Sequence, residues 1–152
     1  MSRGLALLAV LAAATAVPAA AGRTIPWTVI GHGIATGEPS HSPVALVATS
    51  PSAAHHVVTT VPPTAAAAAL RVNYRLNVLV GVFGAFGCTD GRVRITGIDE
   101  RASTLVVKLV VKPLPPGVAS CMALYQTYRL LVVPRHALAA TPTAAKVTVA
   151  RA

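Results

Sequence analysis

The chain has 152 residues and a formal net charge of +9, with 54% hydrophobic and only 11% charged residues. Soluble domains usually have about a quarter of their residues charged, and disordered chains are poor in apolar residues, so this composition excludes a solvated disordered protein. The length fits one domain and leaves no room for a second core.

The N-terminus has the pattern of a secretory signal peptide. Arg3 supplies a positive charge, residues 5–17 form an apolar run, and Ala19-Ala20-Ala21 offers small residues for cleavage. This run is short and rich in alanine, whereas a membrane span needs about 20 strongly apolar residues. We therefore expect a signal peptide over 1–21, a single β-rich domain over 22–152 without a stable membrane span, and a secreted or periplasmic location. An uncleaved N-terminal anchor is the alternative.

In the first half of the expected domain, the sequence pattern predicts two strands, Trp27–Gly33 and Val44–Ala48, followed by helical turns. Ser50-Pro51 is typical of a helix start. Serine caps free backbone N–H groups, and proline has no N–H at the first helical position, where an N–H would have no partner within the helix. This helix should end near Thr60, before two prolines. The alanine-rich segment Pro63–Leu70 predicts a further helical turn or two.

From Val72 the pattern alternates with a period of two. Apolar residues on both faces of Tyr74–Phe83 predict a central strand. Ile95 and Ile98 break the alternation, which a bulge at Gly97 would restore. Glu100–Ser103 then predicts a hairpin connection to a strand over Thr104–Lys112.

A proline-rich loop over 113–117 separates these strands from two more, Tyr128–Pro134 and Lys146–Ala150. The fold class predicted is mainly β (α+β): a small antiparallel β-sandwich or curved sheet with one or two short helices packed on it. Residues 76–111 should supply most of its core.

Cys88 and Cys121 are the only cysteines. In an exported chain an even number of cysteines indicates a disulfide, which would stabilise the fold by roughly 3–4 kcal/mol. A redox or metal role is disfavoured, because no Cys-x-x-Cys spacing occurs and no histidine adjoins either cysteine.

The sequence offers no catalytic, cofactor-binding or metal-binding motif, and we expect no enzyme activity and no cofactor. Neighbours on a strand face opposite ways, so Asp99-Glu100 should form the polar end of a hairpin rather than a carboxylate pair. His55-His56 should be exposed on its helix, where adjacent side chains diverge too far to chelate one metal. A site assembled from distant residues stays an alternative.

Most of the positive charge comes from arginine, and Arg92 and Arg94 share a strand face where a basic patch could begin. The basic residues are not interleaved with aromatic residues, which disfavours nucleic acid as a partner. Anionic polymers of the cell envelope or an acidic protein fit better. A generally basic, solvated surface is the alternative.

Residues 79–134 resemble the PrcB C-terminal family, small β-domains of bacterial exported and lipid-anchored proteins. The matching features are an apolar strand into Gly81-Val82-Phe83-Gly84-Ala85-Phe86-Gly87-Cys88, two further strands, Lys112-Pro113-Leu114-Pro115-Pro116-Gly117, a cysteine, Gln126-Thr127-Tyr128, and a strand ending in Val133-Pro134. The family's Thr-Gly-Gly-Tyr-like loop is replaced by Ala85-Phe86-Gly87-Cys88, and the lipid-anchor cysteine is absent. The resemblance implies a protein-binding accessory role at a secreted protease.

The resulting expectation is an exported, non-catalytic module that binds and modulates another envelope protein, with a protease among the candidates. Its contacts would come from the loops 84–87 and 113–120, above all Phe86, Gly87, Pro116 and Gly117, held together by the disulfide. The competing interpretation is that the two aromatic residues, Phe83 and Phe86, cap the core. The alternative function is a basic, envelope-associated structural protein that binds anionic cell-surface polymers. The sequence does not give the oligomeric state.

Overall fold

A computed structural model describes residues 24–36, 42–85, 93–112 and 125–151. The fold is mainly β, as predicted, with two sheets and two short helices. In chain order the elements are β1 (Thr28–Ile34), β2 (Val44–Ala48), α1 (Pro51–Val57), α2 (Pro63–Leu70), β3 (Asn77–Ala85), β4 (Val93–Arg101), β5 (Thr104–Val111), β6 (Gln126–Pro134), a 3-10 turn (Arg135–Ala137) and β7 (Ala144–Arg151). Neither helix of the described residues is long and apolar enough to span a membrane.

The strands form a sandwich of two sheets. The larger sheet has the order β1-β6-β3-β2 and is antiparallel throughout, while the smaller has the order β4-β5-β7. Antiparallel pairing was expected everywhere, but β5 and β7 are parallel. The reason is the connection: between β5 and β7 the chain crosses to the larger sheet to form β6, so it returns in the same direction.

Two apolar clusters hold the layers together. The first fills the space between the sheets and comprises Ile25, Ala45, Val78, Val80, Val82, Val93, Ile98, Leu105, Val107, Leu109, Leu131, Val133 and Ala137. The second lies between the helices and the opposite face of the larger sheet, and comprises Ala35, Ala48, Ala54, Val57, Val58, Val61, Ala65, Ala69, Tyr74, Leu79, Phe83, Tyr128 and Leu130. The order of layers is therefore helices, larger sheet, smaller sheet. The first cluster draws mainly on the predicted range 76–111, whereas the second also uses the helices.

The two helices begin where the sequence predicts. The Ser50 hydroxyl accepts a hydrogen bond from the Ala53 N–H at 3.2 Å, and Pro51 is the first helical residue. This helix ends at Val57, three residues earlier than expected, and residues 58–60 form a turn. The alanine segment is helical over the whole of Pro63–Leu70.

The central strand β3 has neighbours on both sides and is buried on both faces, as predicted. It begins later than the alternation implied. Tyr74 lies in the preceding turn, where its hydroxyl donates to the Ala69 carbonyl at 2.9 Å, and Leu76 is 63% exposed. Phe83 is buried in the second cluster, which confirms a core role for this aromatic residue.

The predicted bulge is present in β4. Ile95 pairs with Leu109 and Gly97 with Lys108, so one extra residue, Thr96, is accommodated between them and Ile98 returns to the core. Ala102, with φ 53°, then turns the chain into β5.

Candidate functional site

The six residues predicted for the disulfide and for partner binding lie outside the described residues: Cys88, Cys121, Phe86, Gly87, Pro116 and Gly117. The disulfide and the loop contacts therefore stay predictions. The signal peptide, residues 1–21, also lies outside them. Gly84 and Ala85, expected in the loop, belong instead to β3, where the Thr127 hydroxyl donates to the Gly84 carbonyl at 3.3 Å.

The described strands fix where the two predicted binding loops start and finish. Residues 86–92 connect Ala85 to Val93, and residues 112–125 connect the end of β5 to the start of β6. Ala85 pairs with Gln126, and Val93 pairs with Val111. The two connections are therefore anchored side by side, in both sheets, at one end of the sandwich.

The clearest chemical feature of the described residues is the outer face of the smaller sheet. Leu105, Val107 and Leu109 of β5 point into the core, so the alternate residues of this strand point outward. Strand pairing extends this face to β4 and β7. Four exposed cations lie on it, Arg94, Arg101, Lys108 and Lys146, and we call these four the basic face. Exposed Lys112 follows β5 and belongs to none of the paired rows, so it is not counted.

The four cations occupy successive cross-strand rows. From one end of β5 to the other, the rows are Arg101–Thr104–Ala144, Asp99–Val106–Lys146, Gly97–Lys108–Thr148 and Arg94–Val110–Ala150. Each row contains one cation, and neighbouring rows on one face are about 6.7 Å apart along the strand. The basic face is thus a stripe with a regular spacing along the strand direction.

One carboxylate lies on this face. Asp99 Oδ2 is 2.6 Å from Lys108 Nζ; the Asp99 side chain is 6% exposed and that of Lys108 is 47% exposed. The backbone of Thr24 bridges to Asp99 at the free edge of β4. A buried carboxylate needs a charged or hydrogen-bonding partner, so Asp99 holds Lys108 in place on the stripe. With four cations and one carboxylate, the face remains positive.

Glu100, the neighbour of Asp99, points to the other side of β4, as the alternation predicts. Its Oε2 accepts from the Ala139 N–H at 2.7 Å and its Oε1 from the Ala140 N–H at 2.9 Å. This carboxylate therefore anchors the segment that leads from the 3-10 turn to β7. Both described carboxylates have structural partners.

The histidines of the described residues do not converge. His55 and His56 are exposed on α1, as predicted, and His136 is exposed in the 3-10 turn. No group of three or more potential metal ligands occurs among the residues that the structure describes. An open groove of about 350 Å³ lies between β2, α1 and the start of β7. Its described lining is mainly alanine and valine, with His56 as the one titratable side chain among the described residues.

Buried polar groups elsewhere serve the fold. Burial raises the pKa of Tyr74, whose hydroxyl is bonded to the Ala69 carbonyl. Arg135 donates from Nε to the Tyr74 carbonyl at 2.9 Å and from Nη2 to the Thr49 carbonyl at 2.6 Å. These contacts join the turn before β3 to the loop before α1.

Sequence reasoning identified Arg94 as the start of a basic patch but paired it with Arg92, which lies outside the described residues. It missed Arg101, Lys108 and Lys146. The outward position of Lys108 was visible in the alternation of β5, but its alignment with Lys146 depends on the β5–β7 pairing, which no local pattern encodes.

Comparison with known proteins adds no relative: the chain matches no protein-family model, no curated protein and no solved structure. The resemblance of residues 79–134 to the PrcB C-terminal family stays a prediction from the motifs quoted above.

Proposed function

We propose that this protein is an exported, non-catalytic binding module that attaches to anionic polymers of the cell envelope through its basic face. The observation that supports this most is the register of the smaller sheet, which gathers Arg94, Arg101, Lys108 and Lys146 on one exposed side. Clustered cations raise the local concentration of an anionic partner and speed its association.

The arrangement of layers supports this proposal. Helices α1 and α2 pack on the far side of the larger sheet and do not cover the basic face. Its four cations are exposed, although Val106 and Asp99 between them are buried. Cleavage after Ala21, which export would require, is compatible with the contacts of the residues that follow it. Ile25 is fully buried in the core and its N–H donates to the Ile98 carbonyl at 2.9 Å, so cleavage there would leave the fold intact.

Non-catalytic function is supported by the use of the two described carboxylates. Asp99 is engaged by Lys108, and Glu100 by two backbone N–H groups. General acid–base catalysis would need such a group to be available to a substrate.

The test is sedimentation of the purified protein with isolated envelope polymers over a range of salt concentrations. With three cations that no described carboxylate compensates, we expect the apparent affinity to fall by about 20-fold between about 50 and 200 mM salt. The double variant Arg94→Gln/Lys146→Gln should bind more weakly and with a shallower salt dependence. Lys108 is retained in it because Asp99 depends on this partner.

The matched control is Arg71→Gln/Arg75→Gln, which removes the same charge from two exposed arginines between α2 and β3. It should bind nearly as well as the wild type. Equal losses in the two double variants would show that net charge alone drives attachment and would reject the basic face as the site.

A second candidate function is docking to an envelope protein, such as a protease, through the loops 84–87 and 113–120. The observation that favours it is the register of Ala85 with Gln126 and of Val93 with Val111, which anchors both connections at one end of the sandwich. A bond between Cys88 and Cys121 would reduce the ordering cost of binding.

This second candidate predicts that the wild type recovers a protein partner in a pull-down, and that this recovery depends little on salt concentration. Phe86→Ala should abolish the recovery. Leu76→Ala is the control, since it removes an apolar side chain that is 63% exposed elsewhere. Equal recovery with wild type and Phe86→Ala would remove Phe86 from the site, and recovery of both cysteines as free thiols by mass mapping would remove the disulfide.

A further inference from the structure

We infer that the polymer recognised by the basic face is a linear phosphodiester chain with a three-carbon repeat, that is, poly(glycerol phosphate). This inference rests on the proposed function and specifies its ligand. It is supported by the spacing of the cations and by the hydroxyl groups beside them.

The spacing comes from the cross-strand rows. Every row contains one cation, so cations recur at each step of about 6.7 Å along the strand direction, over about 20 Å in all. Asp99 neutralises Lys108. The uncompensated charges of Arg101, Lys146 and Arg94 are therefore one and two steps apart. A glycerol phosphate repeat contains the same number of backbone bonds as two residues of an extended strand. Its phosphates therefore recur at about the same interval, 6.7 Å, when that chain is extended.

The positions of the cations across the sheet allow one extended chain to reach all of them. Arg101 and Arg94 lie on β4, Lys108 on β5 and Lys146 on β7. Adjacent strands are about 4.8 Å apart, so the stripe is no wider than about 10 Å, and the long arginine and lysine side chains cover this width.

The chemistry of the face suits phosphate. Thr104 shares a row with Arg101, and exposed Thr148 shares a row with Lys108. Arginine forms paired hydrogen bonds with phosphate oxygens, and threonine hydroxyls are common donors to phosphate. Two of the four rows thus combine a cation with a neutral donor.

Two other polyanions fit less well. Poly-L-glutamate carries a charge on every residue, about 3.4 Å apart when extended, which is twice as dense as the cations of the face. Single-stranded nucleic acid has a suitable phosphate spacing, but its bases are usually held by stacking on aromatic side chains. The four rows contain no aromatic residue.

The experiment measures binding of the purified protein to poly(glycerol phosphate), poly-L-glutamate and oligo(dT), all with the same number of charges, at one salt concentration. We expect poly(glycerol phosphate) to bind at least about fivefold tighter than poly-L-glutamate. The variant Arg94→Gln/Lys146→Gln should lose about 30-fold of this affinity, which corresponds to about 1 kcal/mol for each cation removed. Arg71→Gln/Arg75→Gln should lose much less, and thermal unfolding verifies that all proteins are folded.

The outcomes distinguish two claims: that the basic face binds anionic polymers, and that the polymer is a phosphodiester. Equal or tighter binding of poly-L-glutamate, still sensitive to Arg94→Gln/Lys146→Gln, overturns the phosphodiester inference and leaves the proposed function standing. Binding of every polymer with no sensitivity to that variant overturns both. Tighter binding of oligo(dT) than of poly(glycerol phosphate) assigns the face to single-stranded nucleic acid and overturns the inference.

Discussion

Gly81 marks the tightest packing between the central strand and helix α1. A Cβ at this position would lie 2.5 Å from Val57 Cγ1 and 2.8 Å from Phe83 Cε2, and both of these side chains are buried. The size of residue 81 therefore fixes how closely the helix can approach the larger sheet. This restriction is one reason why the alternation of β3 contains a glycine among large apolar residues.

We predict that Gly81→Ala lowers the free energy of unfolding by about 1–3 kcal/mol, because a filled core cannot accept a methyl group without moving its neighbours. Urea unfolding measures this change. Gly97→Ala is the matched control: a Cβ there meets only Lys108 Cδ, at 3.7 Å, so its effect should be much smaller. Equal stabilities of Gly81→Ala and wild type would contradict the close approach of α1 and β3.

Tyr74 gives a prediction for alkaline pH. Burial raises the pKa of its hydroxyl above the ordinary value of 10.0, so the folded protein keeps this proton when the unfolded chain has lost it. The resulting stability is fully present below pH 10 and is lost as the pH rises through the folded-state pKa. Unfolding followed by circular dichroism at increasing pH should show this loss.

In Tyr74→Phe the alkaline decrease in stability should be smaller than in the wild type. Its stability near pH 7 should also fall by about 1 kcal/mol, because the Ala69 carbonyl loses its donor. Tyr125→Phe, at an exposed position, is the control and should follow the wild type throughout. An unchanged alkaline decrease in Tyr74→Phe would reject the role of this residue.

At the scale of the elements, the segment before β1 is part of the core. Thr24 bridges to Asp99, and Ile25 bonds to Ile98 with its own side chain fully buried. The predicted first strand, by contrast, forms an edge of the larger sheet, and its last residue, Ile34, is 57% exposed. Two isoleucines near the start of the domain thus have opposite environments.

Ile25→Ala should lower the free energy of unfolding by about 2–4 kcal/mol, as expected for a cavity in a packed core. Ile34→Ala makes the same chemical change at an exposed position and should be close to neutral. Chemical denaturation of the two variants checks both values. Similar stabilities would mean that the segment after the proposed cleavage site does not contribute to the core.

Local signals predicted the elements well, and long-range pairing accounts for what they missed. Ser50-Pro51 fixed the start of α1, and the spacing of Ile95 and Ile98 revealed the bulge at Gly97, because each feature depends on neighbouring residues. The parallel pairing of β5 with β7 joins segments about 40 residues apart, with β6 in the other sheet between them. Alternation alone does not encode such a pairing.

The difference between local signals and long-range pairing also explains why the sequence revealed only part of the basic face. Arg94 was identified because its strand alternates clearly, but the row shared by Val106 and Lys146 exists only after β7 has paired with β5. A sequence scan sees Lys108 and Lys146 as isolated lysines. The regular spacing of the cationic residues is therefore a property of the assembled sheet.

At the scale of the whole molecule, the layers assign different tasks to different faces. Helices cover one side of the larger sheet, the space between the sheets is apolar, and the smaller sheet turns its cations to the solvent. The open groove beside α1 shares only Ala144 with the rows of the basic face. Binding at each of these places would perturb a different set of residues.

The most direct measurement is therefore amide chemical-shift mapping of the isotopically labelled protein during titration with poly(glycerol phosphate). The account predicts that the shifts concentrate on β4, β5 and β7, around Arg94, Lys108 and Lys146, and that they largely disappear in Arg94→Gln/Lys146→Gln but persist in Arg71→Gln/Arg75→Gln. Shifts confined to the helices, or to residues 84–87 and 113–120, would contradict it.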